Sequence, residues 1–120
     1  MLREVLKSKI YYARVTEAQL YYEGSITIDQ DLIKEANLIP GEKGEVLNLN
    51  SGARFQTYVI VGKEKSGVIC LNGPAARLGV VGDKVIILSY AMLSEGELKK
   101  HKAKYVLLGD ENRIKNTTLR

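Results

Sequence analysis

From Gly44 onward this chain is cut by a turn signal at short, regular intervals, and that punctuation limits its fold more than any other feature. Asn50-Ser51-Gly52, Lys63 to Gly67, Gly73-Pro74 and Gly82-Asp83 are the breaks. Between them lie short runs rich in β-branched and aromatic residues: Glu45 to Leu49, Arg54 to Val61, Val68 to Leu71 and Val85 to Leu93. Glycine supplies the positive φ that tight turns need, and runs of this length suit strands better than helices. In the second run, Phe55, Thr57 and Val59 face opposite to Arg54, Gln56 and Tyr58, because side chains alternate along a strand. Short helices fit only at capped positions. Asp29 is a helix N-cap with Asp31 in the first turn, Leu32, Ile33 and Ala36 share one face, Asn37 ends the helix and Pro40-Gly41 turns the chain. Gly73-Pro74 opens a helix over 75–78 with Gly79 beyond its end, and Ser94 opens another over 95–99. Residues 2–22 read as extended, with a bend at Lys7-Ser8-Lys9, a short helical turn over Thr16 to Leu20, and a kink at Gly24 before a strand from Ser25 to Ile28. Tyr105 to Leu108 reads as an edge strand, and the tail from Gly109 as polar and frayed. Many short strands plus short helices indicate a mainly β chain, a small β-barrel, in a single domain over residues 1–120.

Composition narrows the function classes. The chain has 120 residues, 45% of them apolar, enough for one modest core. Eighteen basic against fourteen acidic residues give a net charge of +4. The densest basic cluster, Lys99, Lys100, Lys102 and Lys104, lies beside Glu95 and Glu97, which reads as a solvated helix face and not as a nucleic-acid surface. No run is long enough to span a membrane, and Met1-Leu2-Arg3-Glu4 leads into charged residues without the apolar core of a signal peptide, so a soluble, cytoplasmic protein is expected. The lone Cys70, among Val68, Ile69 and Leu71, reads as a buried structural thiol in a reducing compartment. The single histidine, His101, sits among lysines without an evident partner. A Cys/His metal site or a Ser-His-Asp triad is hard to build from this inventory, and no metal is expected.

A few polar residues are oddly placed for a chain that only packs. Gly24-Ser25 sets a hydroxyl one peptide unit from the carbonyl of the residue most tolerant of strained backbone, so the hydroxyl could attack that carbonyl. Arg54 and Tyr58 share one face of a strand. Asn72-Gly73 stands where a buried strand meets a helix start, suited to an anion or a carbonyl, and Lys9 lies in the first extended segment. Taken one at a time, Arg54 is a surface charge, Tyr58 an amphipathic barrel residue and Asn72 a helix cap.

Together they follow a pattern. Lys9, Tyr22-Glu23-Gly24-Ser25, Ile28-Asp29-Gln30-Asp31, Asn50-x-Gly52-x-Arg54-Phe55-x-Thr57-Tyr58, Asn72-Gly73-x-Ala75-Ala76 and Val81-Gly82-Asp83-x-Val85-Ile86-Ile87 closely resemble the pyruvoyl-dependent aspartate 1-decarboxylase family, from the N-terminus to about residue 93. The resemblance implies a double-psi β-barrel assembled as a homotetramer. It implies a proenzyme cut between Gly24 and Ser25 into a β chain (1–24) and an α chain (25–120), with Ser25 consumed to form a covalent pyruvoyl cofactor and Thr57 assisting. It implies that L-aspartate condenses with the pyruvoyl ketone and loses carbon dioxide to give β-alanine, for pantothenate and coenzyme A synthesis. Arg54 would hold a substrate carboxylate, Lys9 would add positive charge, Tyr58 would return a proton to the substrate carbon, and Asn72, Gly73 and Ala75 would orient oxygens. Participation of a maturation factor is left open.

Two positions depart from the family pattern. Tyr11 stands where many relatives carry histidine; a phenol donates a hydrogen bond but lacks the near-neutral titration of an imidazole. Pro74 stands where alanine is common, keeping the carbonyl and losing the N–H. Two other readings compete: an uncleaved double-psi barrel homologue acting as a binding module, and a small basic barrel binding nucleic acid, whose affinity would fall steeply with salt.

Overall fold

A computed structural model describes every residue, Met1–Arg120. Its elements are β1 (Leu2–Arg14), β2 (Glu17–Gln19), β3 (Ser25–Asp29), α1 (Gln30–Glu35), β4 (Lys43–Asn48), β5 (Arg54–Gly62), β6 (Ile69–Asn72), a 3-10 turn (Gly73–Arg77), β7 (Lys84–Ser94), α2 (Glu95–Leu98), β8 (Lys104–Leu108), a second 3-10 turn (Asp110–Asn112) and β9 (Ile114–Leu119). The nine strands form one sheet in the order β2-β6-β3-β5-β4-β7-β1-β8-β9. Three pairings, β1–β8, β2–β6 and β3–β5, are parallel, and the others antiparallel. This mainly β architecture is the double-psi β-barrel that the sequence pattern implies. No helix is long and apolar enough to cross a membrane.

The core follows from alternation. Ile10, Ile26, Ile28, Val46, Val59, Ile69, Leu71, Val85, Ile87 and Val106 point inward from seven strands and are almost fully buried. Each contributes roughly 1.5–3 kcal/mol over an exposed side chain. The turn residues behave as read: Gly41, Gly52, Gly67 and Gly82 adopt positive φ, and Asn37 ends α1 in the same region at φ 57°. Asp29 does more than cap α1. Its carboxylate accepts from the backbone N–H groups of Asp31 (2.8 Å), Gly67 (2.8 Å) and Lys65 (3.2 Å), so one buried side chain starts the helix and closes the Lys63–Gly67 turn. The bend in the first extended segment is a β-bulge between Leu6 and Ser8, and a second lies between Tyr11 and Ala13, with Tyr12 at φ 63°.

Four expectations are corrected. Thr16 to Leu20 holds β2 and no helical turn, because Glu17–Gln19 pairs in parallel with Cys70–Asn72. Thr16 secures that pairing, its N–H donating to Ile69 O and its hydroxyl accepting from Ile69 N–H. The tail from Gly109 is ordered: Ile114–Leu119 pairs antiparallel with Lys104–Leu108, so β9 and not β8 is the edge. Asn112 anchors it, donating to Arg14 O and Gly67 O and accepting from Arg14 N–H. His101 has a partner, a ring nitrogen 2.8 Å from Leu6 O. The helix after Gly73 is a 3-10 turn that begins at Gly73 itself. The lysine cluster follows α2, and Lys99, Lys100 and Lys102 are exposed as expected.

Candidate active site

The site grows from the register of β3 on β6. Ser25 stands opposite Asn72 and Thr27 opposite Cys70, so alternation puts all four side chains on one face. Asn72 Nδ2 donates to Ser25 Oγ and to Thr27 Oγ1, both at 2.9 Å. Its Oδ1 accepts from the Cys70 thiol at 3.2 Å. Ser25 is completely buried, and its hydroxyl donates to Glu23 O at 3.2 Å. Burial pushes the Cys70 thiol up, and the Glu17 carboxylate pushes it further, so the group is a neutral donor near neutrality.

The parallel pairing of β3 with β5 supplies a second wall. Ile26 lies beside Val59, and the same register carried back brings Gly24 level with Thr57. Gly24, Thr57 and Tyr58 line a cleft of about 350 Å³ with Pro74, Ala75 and Leu78. Tyr58 is 38% exposed and is one of the residues lining this cleft. The 3-10 turn closes over Gly24 at very short range. Gly73 has φ 65°, and a Cβ there would lie 2.6 Å from Tyr22 O and 2.9 Å from Gly24 N and Cα. Only glycine allows that approach. The Pro74 ring lies 3.5 Å from where a Gly24 Cβ would stand, so the lost N–H is exchanged for a packing contact with the peptide of interest.

The two basic residues singled out by the sequence lie elsewhere in the chain. Arg54 opens β5 with its side chain 61% exposed, and its guanidinium is 3.8 Å from Glu45 Oε1. Glu45 also accepts from the Tyr90 hydroxyl at 3.2 Å; burial first and then this carboxylate push the Tyr90 phenol up. Lys9 pairs with Leu88 and Tyr105, and its ammonium lies 5.4 Å from the Tyr11 ring and 5.7 Å from the Tyr105 ring. Tyr11, at the position where histidine is common, thus faces a cation with its ring. The structure brings together Gly24, Ser25, Thr57, Tyr58, Asn72, Gly73 and Ala75, and it leaves Lys9 and Arg54 out of that group.

Sequence reasoning missed Thr27 and the contact of Cys70 with Asn72. The spacings Ser25-x-Thr27 and Cys70-x-Asn72 carry a signal, since alternate residues share a face, but only the pairing of the strands makes one cluster of them.

The family model described as aspartate decarboxylase matches residues 1–115. Among relatives, the chain is 57% identical to the aspartate 1-decarboxylase of Caldicellulosiruptor saccharolyticus over 95% of its own length and 89% of that protein. It is 54% identical to the aspartate 1-decarboxylase of Bacillus subtilis over 95% of its own length and 90% of that protein. It is 52% identical to the aspartate 1-decarboxylase of Clostridium beijerinckii over 98% of its own length and 95% of that protein.

Proposed function

The chain belongs to the aspartate decarboxylase family, and on that premise we propose that it is a carboxy-lyase that converts L-aspartate to β-alanine and carbon dioxide for pantothenate synthesis. The observation that carries the proposal is the Gly24–Ser25 peptide itself: its hydroxyl is buried and held by Asn72, its glycine is packed under Gly73, and Thr57 and Tyr58 line the cleft beside it.

The chain first cuts itself. Ser25 Oγ attacks the Gly24 carbonyl carbon, the Gly24–Ser25 C–N bond breaks, and an ester links Gly24 to the Ser25 side chain. Loss of the Ser25 α-proton with the Cβ–Oγ bond then releases Gly24 as a carboxylate. Water replaces the amino group, which leaves as ammonia, and residue 25 becomes a pyruvoyl group. Thr57 assists from the cleft wall. The donor set suits the product: a pyruvoyl group at position 25 offers acceptor oxygens, and Asn72 Nδ2 is a donor already aimed at that residue. The pyruvoyl group supplies an electron sink for the carbon that loses its carboxylate.

The chain's own residues do the remainder. Arg54 grips a substrate carboxylate through its paired N–H donors, and Lys9 adds positive charge. Tyr58 gives a proton to the carbon that has lost carbon dioxide. Asn72 and the backbone at Gly73 and Ala75 orient oxygens. Since Lys9 and Arg54 stand apart from Ser25 in one chain, a homotetramer that sets them against the cleft of a neighbouring copy completes the site. As a biosynthetic enzyme of this family, the protein acts in the cytoplasm.

Intact mass and carbon dioxide release test this directly. Two fragments, the larger blocked at its amino end, together with carbon dioxide from L-aspartate, are expected. An uncut chain after prolonged warming that releases none would sink the proposal and favour a barrel that only binds.

A further inference from the structure

Asn72 uses three of its hydrogen-bonding capacities on the one face shared by β3 and β6. One N–H goes to Ser25 Oγ and the other to Thr27 Oγ1, each at 2.9 Å, while Oδ1 takes the Cys70 thiol at 3.2 Å. The ladder fixes this square, with Ser25 opposite Asn72 and Thr27 opposite Cys70. Thr27 does not line the cleft, and no step described so far requires its hydroxyl. We propose that Thr27, with Cys70 behind it, is a positioning residue for scission of the Gly24–Ser25 bond, holding the Asn72 amide so that one N–H stays aimed at Ser25 Oγ. The proposal rests on the reading that the chain cuts itself there.

The chemistry says which step that N–H serves. Ser25 Oγ must give up its proton to attack, and a donor on the oxygen does not help that. In the elimination the demand is reversed. The Cβ–Oγ bond breaks, its electron pair stays on Oγ, and Oγ becomes an oxygen of the departing Gly24 carboxylate as the α-proton leaves. A fixed N–H on Oγ stabilises that developing charge in a water-excluded site. The torsion that turns a side-chain amide is broad, so orientation must come from its partners. Thr27 Oγ1 takes the second N–H, and the neutral Cys70 thiol donates to the carbonyl end. With Thr27 Oγ1 removed, one buried N–H lacks an acceptor and the amide turns to satisfy it at the expense of Ser25 Oγ.

The test is maturation of the full chain followed by intact mass, with hydroxylamine to reveal the ester, which it cleaves. Thr27→Val is expected to slow final scission about tenfold and to accumulate hydroxylamine-labile chain. Thr27→Ser, which keeps the hydroxyl, is expected to mature at the parent's rate. Cys70→Val and Cys70→Ser repeat the contrast from the other end of the amide, so a Thr27 variant that misfolds does not end the test. Thermal stability is measured on a Ser25→Ala background, which separates folding from chemistry. Equal scission by the Val and Ser variants, or slow scission by the Val variants with no hydroxylamine-labile chain, overturns the proposal. A parent chain that never cuts overturns the self-cleavage reading and this proposal with it.

Discussion

The seam around Ser25 and the surface around Arg54 and Lys9 are finished to different degrees. At the seam, Ser25 is fully buried, Asn72 is bonded at both ends, and Gly73 touches Gly24 so closely that no other residue fits. At Arg54, one carboxylate stands 3.8 Å away and most of the side chain faces solvent. Lys9 rests on two tyrosine rings without a carboxylate partner. An exposed ion pair at that distance contributes ~1 kcal/mol or less, so the guanidinium is free to exchange Glu45 for a better ligand. On the proposed reading, the rigid seam suits a reaction of the chain on itself, and the loosely paired cations suit a carboxylate from outside. Under that proposal, making a cofactor would need rigidity within one chain, and binding a substrate carboxylate would need charge that the chain has not already neutralised.

The largest way to break this contrast is at Ser25. Ser25→Ala removes the attacking oxygen and is expected to abolish scission while leaving the barrel folded. Asn72 keeps Thr27 and Cys70, so the cost in stability is about 1 kcal/mol. Mass spectrometry showing two fragments from this variant would end the role given to Ser25. Next is Gly73→Ala. The added Cβ meets Tyr22 O and the Gly24 backbone, and the left-handed conformation alone costs about 1–2 kcal/mol. Displacing the scissile peptide by part of an ångström is expected to slow scission about hundredfold. Unchanged maturation kinetics would show that the seam is softer than its packing indicates.

How much of this was legible in the sequence depends on how local the cause is. Turns at Asn50–Gly52 and Gly82-Asp83 could be read because glycine and its neighbours dictate them. Asp29 was legible as a cap, but its closure of the Lys63–Gly67 turn was not, since that depends on a partner 38 residues away. The same limit explains β2 and β9. Glu17–Gln19 is a strand only because β6 offers an edge, and the polar Ile114–Leu119 only because β8 does. In the site, Asn72 and Gly73 stood out from their setting at a strand end. Thr27 and Cys70 did not, because their meaning lies in the register between two distant strands.

Arg54→Ala tests the other region. Arg54 does not touch the seam, so scission is expected to proceed at the parent's rate. Losing a bidentate grip on a carboxylate, worth about 1.5–3 kcal/mol, is expected to raise KM for aspartate by roughly 10- to 100-fold. Slowed maturation in this variant would mean that the two regions are coupled, and a near-normal KM would mean that another residue holds the carboxylate.

The smallest effect concerns what braces the cleft from behind. Asn48 Nδ2 donates to Leu78 O, at the end of the 3-10 turn, and to Asp83 Oδ2 at 2.9 Å; Val80 N–H also donates to Asp83. The Asn48 amide first, and the Val80 N–H second, hold the Asp83 carboxyl below its ordinary range. A carboxyl depressed on folding stabilises the native state above its unfolded value, near 3.9, and that contribution is lost as pH falls through the folded value. Asp83→Asn keeps acceptor geometry without the charge. On the Ser25→Ala background its thermal stability is expected to fall slightly near neutrality and to meet the parent's in strong acid. Glu97, held down by the Ser94 backbone N–H and then its hydroxyl, titrates in the same direction, so an acid-dependent limb persists in the variant and Glu97→Gln flattens it further. If Asp83→Asn follows the parent at every pH, the brace on Leu78 is carried by Asn48 alone, and the rigidity of the seam owes nothing to charge.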